Sequence, residues 1–284
     1  MHTVSLPNGE CVPALGLGTW RMGESPRTRA SEVAALRLAI ELGYRLIDTA
    51  EMYGDGGAEE AVGEAVAQAL RAGDVRREEL FIVSKVLPHN ASRAGTVAAC
   101  ERSLRRLQLQ HIDLYLLHWR GQHALRDTVA GFEALQQRGL LRHWGVSNFD
   151  TDDMEELAGV PHGAHCASNQ LYYALSERGI EVDLLPWLRA RHMPCMAYSP
   201  IDRGTLANDA TLRSIGQRRG VSAAQVALAW VLEQPQVLAI PKAVREAHLR
   251  ENLAAVALAL TPEERVELDQ RFPPPRRKAP LAVV

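Results

Sequence analysis

The chain has 284 residues, of which 46% are hydrophobic and 23% are charged, and this composition is typical of a globular protein with a sizeable core. A formal net charge of −2 and the lack of a basic block exclude an electrostatic preference for nucleic acid or for an anionic membrane. No apolar run approaches the length of a membrane span, and the first residues predict a polar hairpin rather than a signal peptide. The cysteines are scattered without a CxxC spacing, which favours a reduced, cytoplasmic protein.

The beginning of the chain predicts a β-hairpin followed by a strand and a helix. Alternating residues flank Asn8-Gly9, the strongest short hairpin signal, and a hairpin in this position is suited to cover the bottom of a barrel. Residues 15–18 (LGLG) then predict a short strand. Residues 28–42 predict a helix, because their apolar members recur on one helical face and a glycine follows.

Strand-like and helix-like segments alternate along the rest of the chain. The further predicted strands comprise residues 44–48, 80–86, 112–119, 141–149, 165–170, 194–200 and 236–240. The further predicted helices comprise residues 58–70, 94–107, 128–138, 152–157, 181–190, 211–219, 222–233 and 245–258, and one more begins near residue 261.

Strands separated by helices pair in parallel, and eight of them predict an α/β fold, the (β/α)8 TIM barrel, here with an N-terminal β-hairpin. The alternative is an open, doubly wound sheet, which is disfavoured because no GxGxxG motif opens the first helix. No internal repeat or low-complexity linker divides the chain. Residues 1–284 are therefore expected to form a single domain.

The stretch LIDTAEMYG, residues 46–54, brings a carboxylate and a phenol close together at a predicted strand end. Asp48 falls where the strand emerges, and Tyr53 lies on the loop that follows. A phenol with its reference pKa of about 10 is a poor proton donor at neutral pH, and a nearby lysine would lower that pKa. The lysine would need an anionic partner, which Asp48 could be. The alternative interpretation of Asp48 is a helix-capping or loop carboxylate.

Each predicted barrel strand ends in a polar residue, and these residues are Thr19, Asp48, Lys85, His118, Ser147 with Asn148, Gln170, Ser199 and Lys242. In a packed core each would be costly unless it were paired. A lone histidine or lysine at a strand end is commonly structural. Aspartate, tyrosine, lysine and histidine in register at successive strands instead predict an active site.

The motifs LGLGTW, LIDTAEMYG, VSK, LYLLHW, GVSNF, NQ, AYSP and IPK follow one another between residues 15 and 252. In order and spacing they resemble the aldo-keto reductases, and within that family the short bacterial members that include methylglyoxal reductase-like proteins. The resemblance implies a (β/α)8 barrel that reduces aldehydes or ketones, including 2-oxoaldehydes such as methylglyoxal. It implies NADPH as the cofactor, with NADH weaker, no metal ion, and a small-molecule carbonyl substrate. A monomer is expected.

The resemblance also implies roles for the residues at the strand ends. Tyr53 would be the general acid, Lys85 would lower its pKa while paired with Asp48, and His118 would orient the carbonyl and help to relay the proton. Because the hydride comes from nicotinamide, no protein nucleophile is needed. The substrate pocket would be walled by Trp20, Tyr53, Leu87, His118 and Trp119. A leucine at position 87, where eukaryotic members often have tryptophan, predicts a more open pocket.

A larger set of residues is expected to bind the cofactor. By resemblance, Ser147, Asn148 and Gln170 would hold the carboxamide and Tyr198 would stack on the ring. In residues 240–252, Lys242, Arg245 and a protonated His248 would bind the 2′-phosphate, although His248 stands where the family commonly has arginine. The full predicted set is Gly18, Thr19, Trp20, Asp48, Ser147, Asn148, Gln170, Tyr198, Ser199, Pro200, Ile201, Arg203, Gly204, Ile240, Pro241, Lys242, Ala243, Val244, Arg245, His248, Glu251 and Asn252.

The remaining histidines give no metal-binding signature in the sequence. Those considered, with no HxH or HExxH spacing among them, are His89, His111, His123, His143, His162, His165 and His192. Their spacing predicts no zinc site. Two alternatives to a reductase are a cofactor-binding regulatory subunit on the same barrel and a metal-dependent barrel hydrolase. The intact set of strand-end residues disfavours the first, and the missing ligand motif disfavours the second.

Overall fold

The computed structural model describes residues 2–283, and the chain begins with the predicted hairpin. Strands β1 (Thr3–Ser5) and β2 (Cys11–Pro13) pair in antiparallel fashion, with Val4 opposite Val12. Both valines are buried, so this small sheet presents an apolar face to the rest of the molecule.

Eight parallel strands follow, each hydrogen-bonded to its neighbour in sequence: β3 (Leu17–Gly18), β4 (Leu46–Asp48), β5 (Phe81–Val86), β6 (Ile112–Leu117), β7 (Leu141–Ser147), β8 (Asn169–Tyr172), β9 (Cys195–Tyr198) and β10 (Val237–Ala239). The segments at the two ends of this order also pair. The amide of Gly16 donates to the Ala239 carbonyl at 2.8 Å, and the amide of Ala239 donates to the Ala14 carbonyl at 2.8 Å. The sheet therefore closes into the predicted (β/α)8 barrel.

Helices surround the barrel, and those within residues 2–283 are α1 (Pro26–Leu42), α2 (Gly57–Ala72), α3 (Arg93–Leu107), α4 (Leu125–Gln137), α5 (Thr151–Gly159), α6 (Leu184–Arg189), α7 (Ala210–Arg219), α8 (Ala223–Leu232), α9 (Glu246–Ala255) and α10 (Pro262–Arg271). The first of them shows how sequence sets their ends. The Ser25 hydroxyl accepts from the amide of Arg27, and Gly43 ends the helix with a φ of 105°. Over the described residues, no helix combines the length and the apolar character needed to cross a bilayer.

Most element bounds shift by a few residues from the sequence prediction, and beside two predicted segments the structure has a 3₁₀ turn. The strand predicted at residues 165–170 begins only at Asn169, and Gly163–His165 forms a 3₁₀ turn instead. Strand pairing decides this start, because Asn169 is the first residue of the segment opposite β7 and β9. The helix predicted at residues 181–190 is shorter, since Gly179–Glu181 is also a 3₁₀ turn.

The two ends of the barrel carry different parts of the chain. At the amino end, the carboxylate of Glu10, in the hairpin, lies 2.6 Å from Arg142 and 2.8 Å from His143, near the start of β7. The hairpin therefore covers this end, as the sequence predicts. At the opposite end, Asp48 and Ser147 are the last residues of β4 and β7. This carboxyl end is where barrel folds collect functional side chains.

Candidate active site

A cleft of about 380 Å³ opens at the carboxyl ends of the barrel strands. Most of the residues that line it come from the predicted site. The lining consists of Gly18, Trp20, Arg21, Asp48, Met52, Tyr53, His118, Ser147, Asn148, Gln170, Tyr198, Ser199, Pro200, Ile201, Arg203, Gly204, Ile240, Pro241, Lys242 and His248. Parallel strands that end at one rim bring these distant segments together.

A buried ion pair forms the base of the cleft. The Nζ of Lys85 donates to both carboxylate oxygens of Asp48, at 2.9 and 2.8 Å, and to the carbonyl of Thr49 at 2.9 Å. Burial alone would lower the pKa of Lys85, but the charges and hydrogen bonds of Asp48 and Tyr53 outweigh it and raise that pKa. Burial raises the pKa of Asp48, and the interactions with Lys85 and Gln170 oppose that rise only in part. The pair satisfies two groups that would be very costly if buried singly.

The hydroxyl of Tyr53 lies beside this pair. Lys85 Nζ donates to the Tyr53 oxygen at 3.2 Å. Burial raises the pKa of Tyr53; the positive charge of Lys85 lowers it, and Asp48 raises it again. The sequence predicts a pKa brought down by the lysine. In the structure the lysine acts in that direction, but desolvation of the phenolate outweighs it. Tyr53 is therefore a neutral phenol that carries a transferable proton.

Glycines allow the backbone after Tyr53 to turn tightly. Tyr53 begins a 3₁₀ turn in which Gly54 has a φ of 59° and Gly56 a φ of 91°. A Cβ on Gly54 would lie 2.6 Å from the backbone of Gly23, so the two chain segments approach too closely for a side chain. The MYGDG sequence thus holds the phenol at the rim of the barrel rather than serving as a flexible loop.

His118 is the fourth member of the predicted catalytic set, and it is only 6% exposed. Burial, and then the positive charge of Lys85, hold the pKa of His118 well below 6.5. Its ring meets the ring of Tyr53 edge-on with centroids 5.8 Å apart. At neutral pH His118 is therefore an uncharged imidazole, which can donate one hydrogen bond but is a poor source of a second proton.

Side-chain amides link the strand ends around this centre. Asn148 Nδ2 donates to the His118 carbonyl at 3.1 Å, and Asn148 Oδ1 accepts from the Tyr198 hydroxyl at 2.9 Å. Gln170 Nε2 donates to Asp48 Oδ1 at 2.7 Å. Asn148 has a φ of 58°, a conformation that asparagine tolerates better than most residues. The network fixes the orientation of the polar groups that line the cleft.

The chain after β9 forms the next part of the lining of the cleft. Tyr198 stacks on Tyr172 with ring centroids 5.8 Å apart, and the Tyr172 hydroxyl donates to Asp202 at 2.6 Å. Arg203 and Gly204 follow with positive φ angles of 51° and 93° and line the cleft. This loop, which belongs to the predicted cofactor-binding set, therefore has backbone in the left-handed region and is joined to β8 by the hydrogen bond of the buried Tyr172.

Comparison with known proteins decides the family. The aldo/keto reductase family matches residues 14–271. The chain belongs to the aldo/keto reductase family. Methylglyoxal reductase YeaE of Escherichia coli (strain K12) is 49% identical over 278 residues, which are 96% of this chain and 95% of that relative. Glyoxal reductase of Bacillus subtilis (strain 168) is 35% identical, over 94% of this chain and 91% of its own length.

Solved structures agree with this assignment. The crystal structure of an aldo/keto reductase from Klebsiella pneumoniae in complex with NADP and acetate superposes with a TM-score of 0.94. The two chains are 47% identical, and the alignment covers 99% of each. The family resemblance and the barrel predicted from the sequence motifs are thereby confirmed.

Several residues predicted to contact ligands in this aldo/keto reductase do not line the cleft. Thr19 is buried, and its hydroxyl donates to the Asp48 carbonyl at 2.9 Å. Leu87 lies between β5 and a 3₁₀ turn, and its amide donates to Glu51. Trp119 is 38% exposed and packs on His118. The other residues predicted to bind cofactor that lie outside the lining are Ala243, Val244, Arg245, Glu251 and Asn252, and the predicted catalytic Lys85 lies below the lining, in contact with Asp48 and Tyr53. Their contacts with cofactor or substrate stay predictions.

Two lining residues were missed by sequence reasoning. Arg21 has a φ of 62° and places its guanidinium 4.6 Å from the centre of the Trp20 ring. Met52 is 40% exposed at the mouth of the cleft. Both directly neighbour predicted residues, Trp20 and Tyr53, which was the available signal. Their type gave none, because neither an arginine nor a methionine on a loop by itself indicates a cleft.

At the other end of the cleft, the predicted phosphate-binding residues come together. Lys242 and His248 line the cleft, and Arg245 Nη2 lies 2.7 Å from His248 Nε2. A guanidinium can only donate, so His248 Nε2 is the acceptor if this contact is a hydrogen bond. Arg245 is thus a positive charge beside His248, and the protonated His248 that the sequence predicts at a bound phosphate stays a prediction.

Proposed function

We propose that this aldo/keto reductase reduces small aldehydes and ketones with NADPH, and that 2-oxoaldehydes such as methylglyoxal are among its substrates. The observation that carries the proposal is the Asp48–Lys85 pair with the Tyr53 hydroxyl 3.2 Å from Lys85 Nζ, at the base of an open cleft. A proton donor backed by a buried cation suits addition of a proton to a carbonyl oxygen. The relatives named methylglyoxal reductase and glyoxal reductase support the substrate class.

The cleft fits NADPH by the chemistry of its two ends. Near Tyr53 it offers amides and an aromatic ring, from Asn148, Gln170 and Tyr198, which suit the nicotinamide carboxamide and ring. At the far end Lys242 and His248 suit an anionic group such as the 2′-phosphate. When bound, NADPH supplies a hydride to the carbonyl carbon. NADP-bound neighbours of closely similar fold support this cofactor, and NADH is expected to bind more weakly.

The side chains of the protein supply the proton and stabilise the charge that its transfer leaves behind. Tyr53 donates its hydroxyl proton to the carbonyl oxygen, which leaves a phenolate. Lys85 stabilises that phenolate by its charge and its hydrogen bond, and Asp48 keeps Lys85 charged and oriented. The neutral His118 orients the carbonyl by donating a hydrogen bond. A phenol with a raised pKa suits this role, because it keeps its proton until the carbonyl oxygen of the substrate becomes basic.

Loss of NADPH absorbance with methylglyoxal tests the proposal, and Tyr53→Phe is the decisive variant. We expect kcat to fall by about 10²–10⁴-fold, while NADPH binding measured by fluorescence stays near wild type. Tyr44→Phe is the matched control, because its hydroxyl bonds the Leu249 carbonyl outside the cleft. Full kcat in Tyr53→Phe would show that another group is the acid. A wild-type protein that binds NADPH but reduces no carbonyl would favour the regulatory subunit.

We further propose that the reductase is a single-domain, cytoplasmic monomer. This chain itself supplies the Asp48–Lys85 pair, the Tyr53 hydroxyl and the polar groups that suit the cofactor, which supports activity as a monomer. The four cysteines lie in the described part of the chain and are unpaired, which supports a reducing compartment. Light scattering after size exclusion at assay concentration tests the assembly, and a dimer that dissociates with loss of activity would contradict the proposal.

A further inference from the structure

A cluster outside the cleft brings together three side chains that can bind metal. Glu133 lies on α4, and His162 and His165 lie on the connection between α5 and β8. One ligand atom of each lies within 4.8 Å of the other two, and residues 2–283 contain no second group of three or more such side chains this close. The sequence separates Glu133 from the histidines, so only the fold reveals the set.

We propose that Glu133, His162 and His165 form a binding site for Zn²⁺ that joins α4 to the connection before β8. The Nδ1 of His165 lies 3.3 Å from Glu133 Oε1, and the Nδ1 of His162 lies 3.7 Å from Glu133 Oε2. Zinc binds nitrogen and carboxylate oxygen at about 2.0–2.2 Å, so neighbouring ligands of a tetrahedral site are about 3.3–3.5 Å apart. Both histidine–glutamate pairs are therefore already close to the separation of neighbouring zinc ligands.

The carboxylate of Glu133 accepts a hydrogen bond from a side chain of the barrel. Glu133 is 20% exposed at its side chain, and its Oε1 accepts a hydrogen bond from Trp144 Nε1 at 3.4 Å. Trp144 is fully buried in β7, so it cannot move with the surface. Support of this kind orients a metal ligand and reduces the entropy lost on binding.

The two imidazoles are presented by a tight turn. His162 has a φ of 64°, and a Cβ on Gly163 would lie 1.7 Å from the Leu157 carbonyl oxygen, so only glycine fits at position 163. The rings of His162 and His165 have centroids 5.3 Å apart and side chains 59% and 60% exposed. The turn therefore sets where the two imidazoles leave the backbone.

The donor set indicates which ion the site takes. Two imidazoles and one carboxylate suit zinc, whereas magnesium and calcium prefer oxygen ligands. Cys166 follows His165 directly, but its buried thiol faces the Ser168 carbonyl at 3.5 Å and does not join the set. Three protein ligands leave one position for water. Because the connection leads to the start of β8, the site lies near the amino end of the barrel and away from Tyr53, so zinc would be structural.

Calorimetric titration of the untagged protein with Zn²⁺ tests the site. We expect wild type to bind one zinc ion per chain and Glu133→Gln and His165→Ala to lose that binding. Zinc at about one hundred times Kd should raise the Tm of wild type by roughly 4–8 °C, because a ligand stabilises the state that binds it. Magnesium should give no shift. The Tm of each variant without zinc shows whether it is folded.

A matched pair of histidine substitutions separates this site from general surface binding. His162→Asn and His192→Asn both change an exposed histidine with positive φ, 64° and 53°, to a residue that tolerates that conformation. We expect only His162→Asn to lose zinc. Wild type that binds no zinc at micromolar concentration would overturn the proposal, as would equal losses in the two variants or retained zinc in His165→Ala. In those cases the cluster is only a hydrogen-bonded surface group.

Discussion

At the scale of single residues, the chemistry depends on charged side chains that lie close together at the rim of the barrel. Lys85 is fully buried, and its contacts to Asp48, Thr49 and Tyr53 all lie between 2.8 and 3.2 Å. A buried cation of this kind is stable only with its partner, because an uncompensated charge in the core is strongly destabilising. The ion pair and the acid are therefore one unit rather than separate contributors.

Substitutions in the pair are expected to be non-additive. Lys85→Met should lower kcat by about 10²-fold or more, and Asp48→Asn should also lower it. Because each removes the function of the other, the double variant should lose less than the product of the two losses, as kcat measurements would show. Arg77→Met is the control, since it breaks a buried ion pair, 2.6 Å to Asp113, outside the cleft. Multiplicative losses would argue against a shared unit.

His118 makes stability depend on pH. Its pKa is held well below 6.5 by burial and then by Lys85, whereas in the unfolded chain it titrates near about 6.5. Below that pH the unfolded state binds more protons, so stability is full above it and falls as pH decreases toward the native pKa.

His118→Gln should remove this dependence. In urea unfolding between about pH 7.5 and 5, we expect the variant to lose less stability than wild type, by up to about 1.4 kcal/mol per pH unit. His192→Gln, at an exposed position, should follow wild type. Identical slopes for His118→Gln and wild type would mean that His118 is not buried as a neutral ring.

At the scale of elements, the start of α9 sets how strongly the far end of the cleft attracts an anion. Arg245 is the residue before the helix, and its guanidinium donates to His248 one turn later. A helix start already favours negative charge through its free amides and its dipole. An imidazole at position 248 adds less to that attraction than a guanidinium would, because a guanidinium keeps its positive charge at every working pH.

His248→Arg is expected to strengthen NADPH binding at pH 8 and to leave NADH binding unchanged, because only NADPH carries the 2′-phosphate. Fluorescence titration of both cofactors measures the change. Ala254→Arg adds the same charge at an exposed position two turns further along α9 and should have a smaller effect. Equal affinity of wild type for NADPH and NADH would contradict the proposed phosphate site.

At the scale of the whole molecule, the barrel depends on the close approach of its first and last strands. Gly18 belongs to β3, and its amide donates to the Pro241 carbonyl at 3.2 Å. A Cβ at this position would lie 2.7 Å from the carbonyl oxygen of Ile240, which is backbone and cannot rotate away. Closure of the barrel between β3 and the segment after β10 therefore requires a glycine at position 18.

Gly18→Ala should destabilise the protein by about 1–3 kcal/mol, as overpacked positions do, and urea unfolding measures it. Gly159→Ala is the matched control: nothing lies within 4 Å of the added Cβ at the end of α5, so this substitution should be neutral or slightly stabilising. Equal stability of the two variants would show that the strands at the seam can separate without cost.

The sequence by itself determined the barrel and most of the residues of its candidate active site. Alternating strand and helix periods, with polar residues at the strand ends, are local properties of the chain, and they predicted Asp48, Tyr53, Lys85 and His118 correctly as one cluster. These features can be predicted without knowledge of tertiary contacts, because parallel strands end at one rim of the barrel however the side chains pack.

Only the tertiary structure decided what depends on neighbours far apart in sequence. Burial, not the lysine, sets the direction of the Tyr53 pKa, because desolvation is a property of the surrounding fold. The start of β8 was set by pairing with β7 and β9, and Arg21 entered the cleft through a turn with positive φ. Glu133 met His162 and His165 because α4 packs outside the barrel beside the connection to β8. Each of these outcomes depends on contacts between residues far apart in sequence, which the local periodicity of the sequence does not encode.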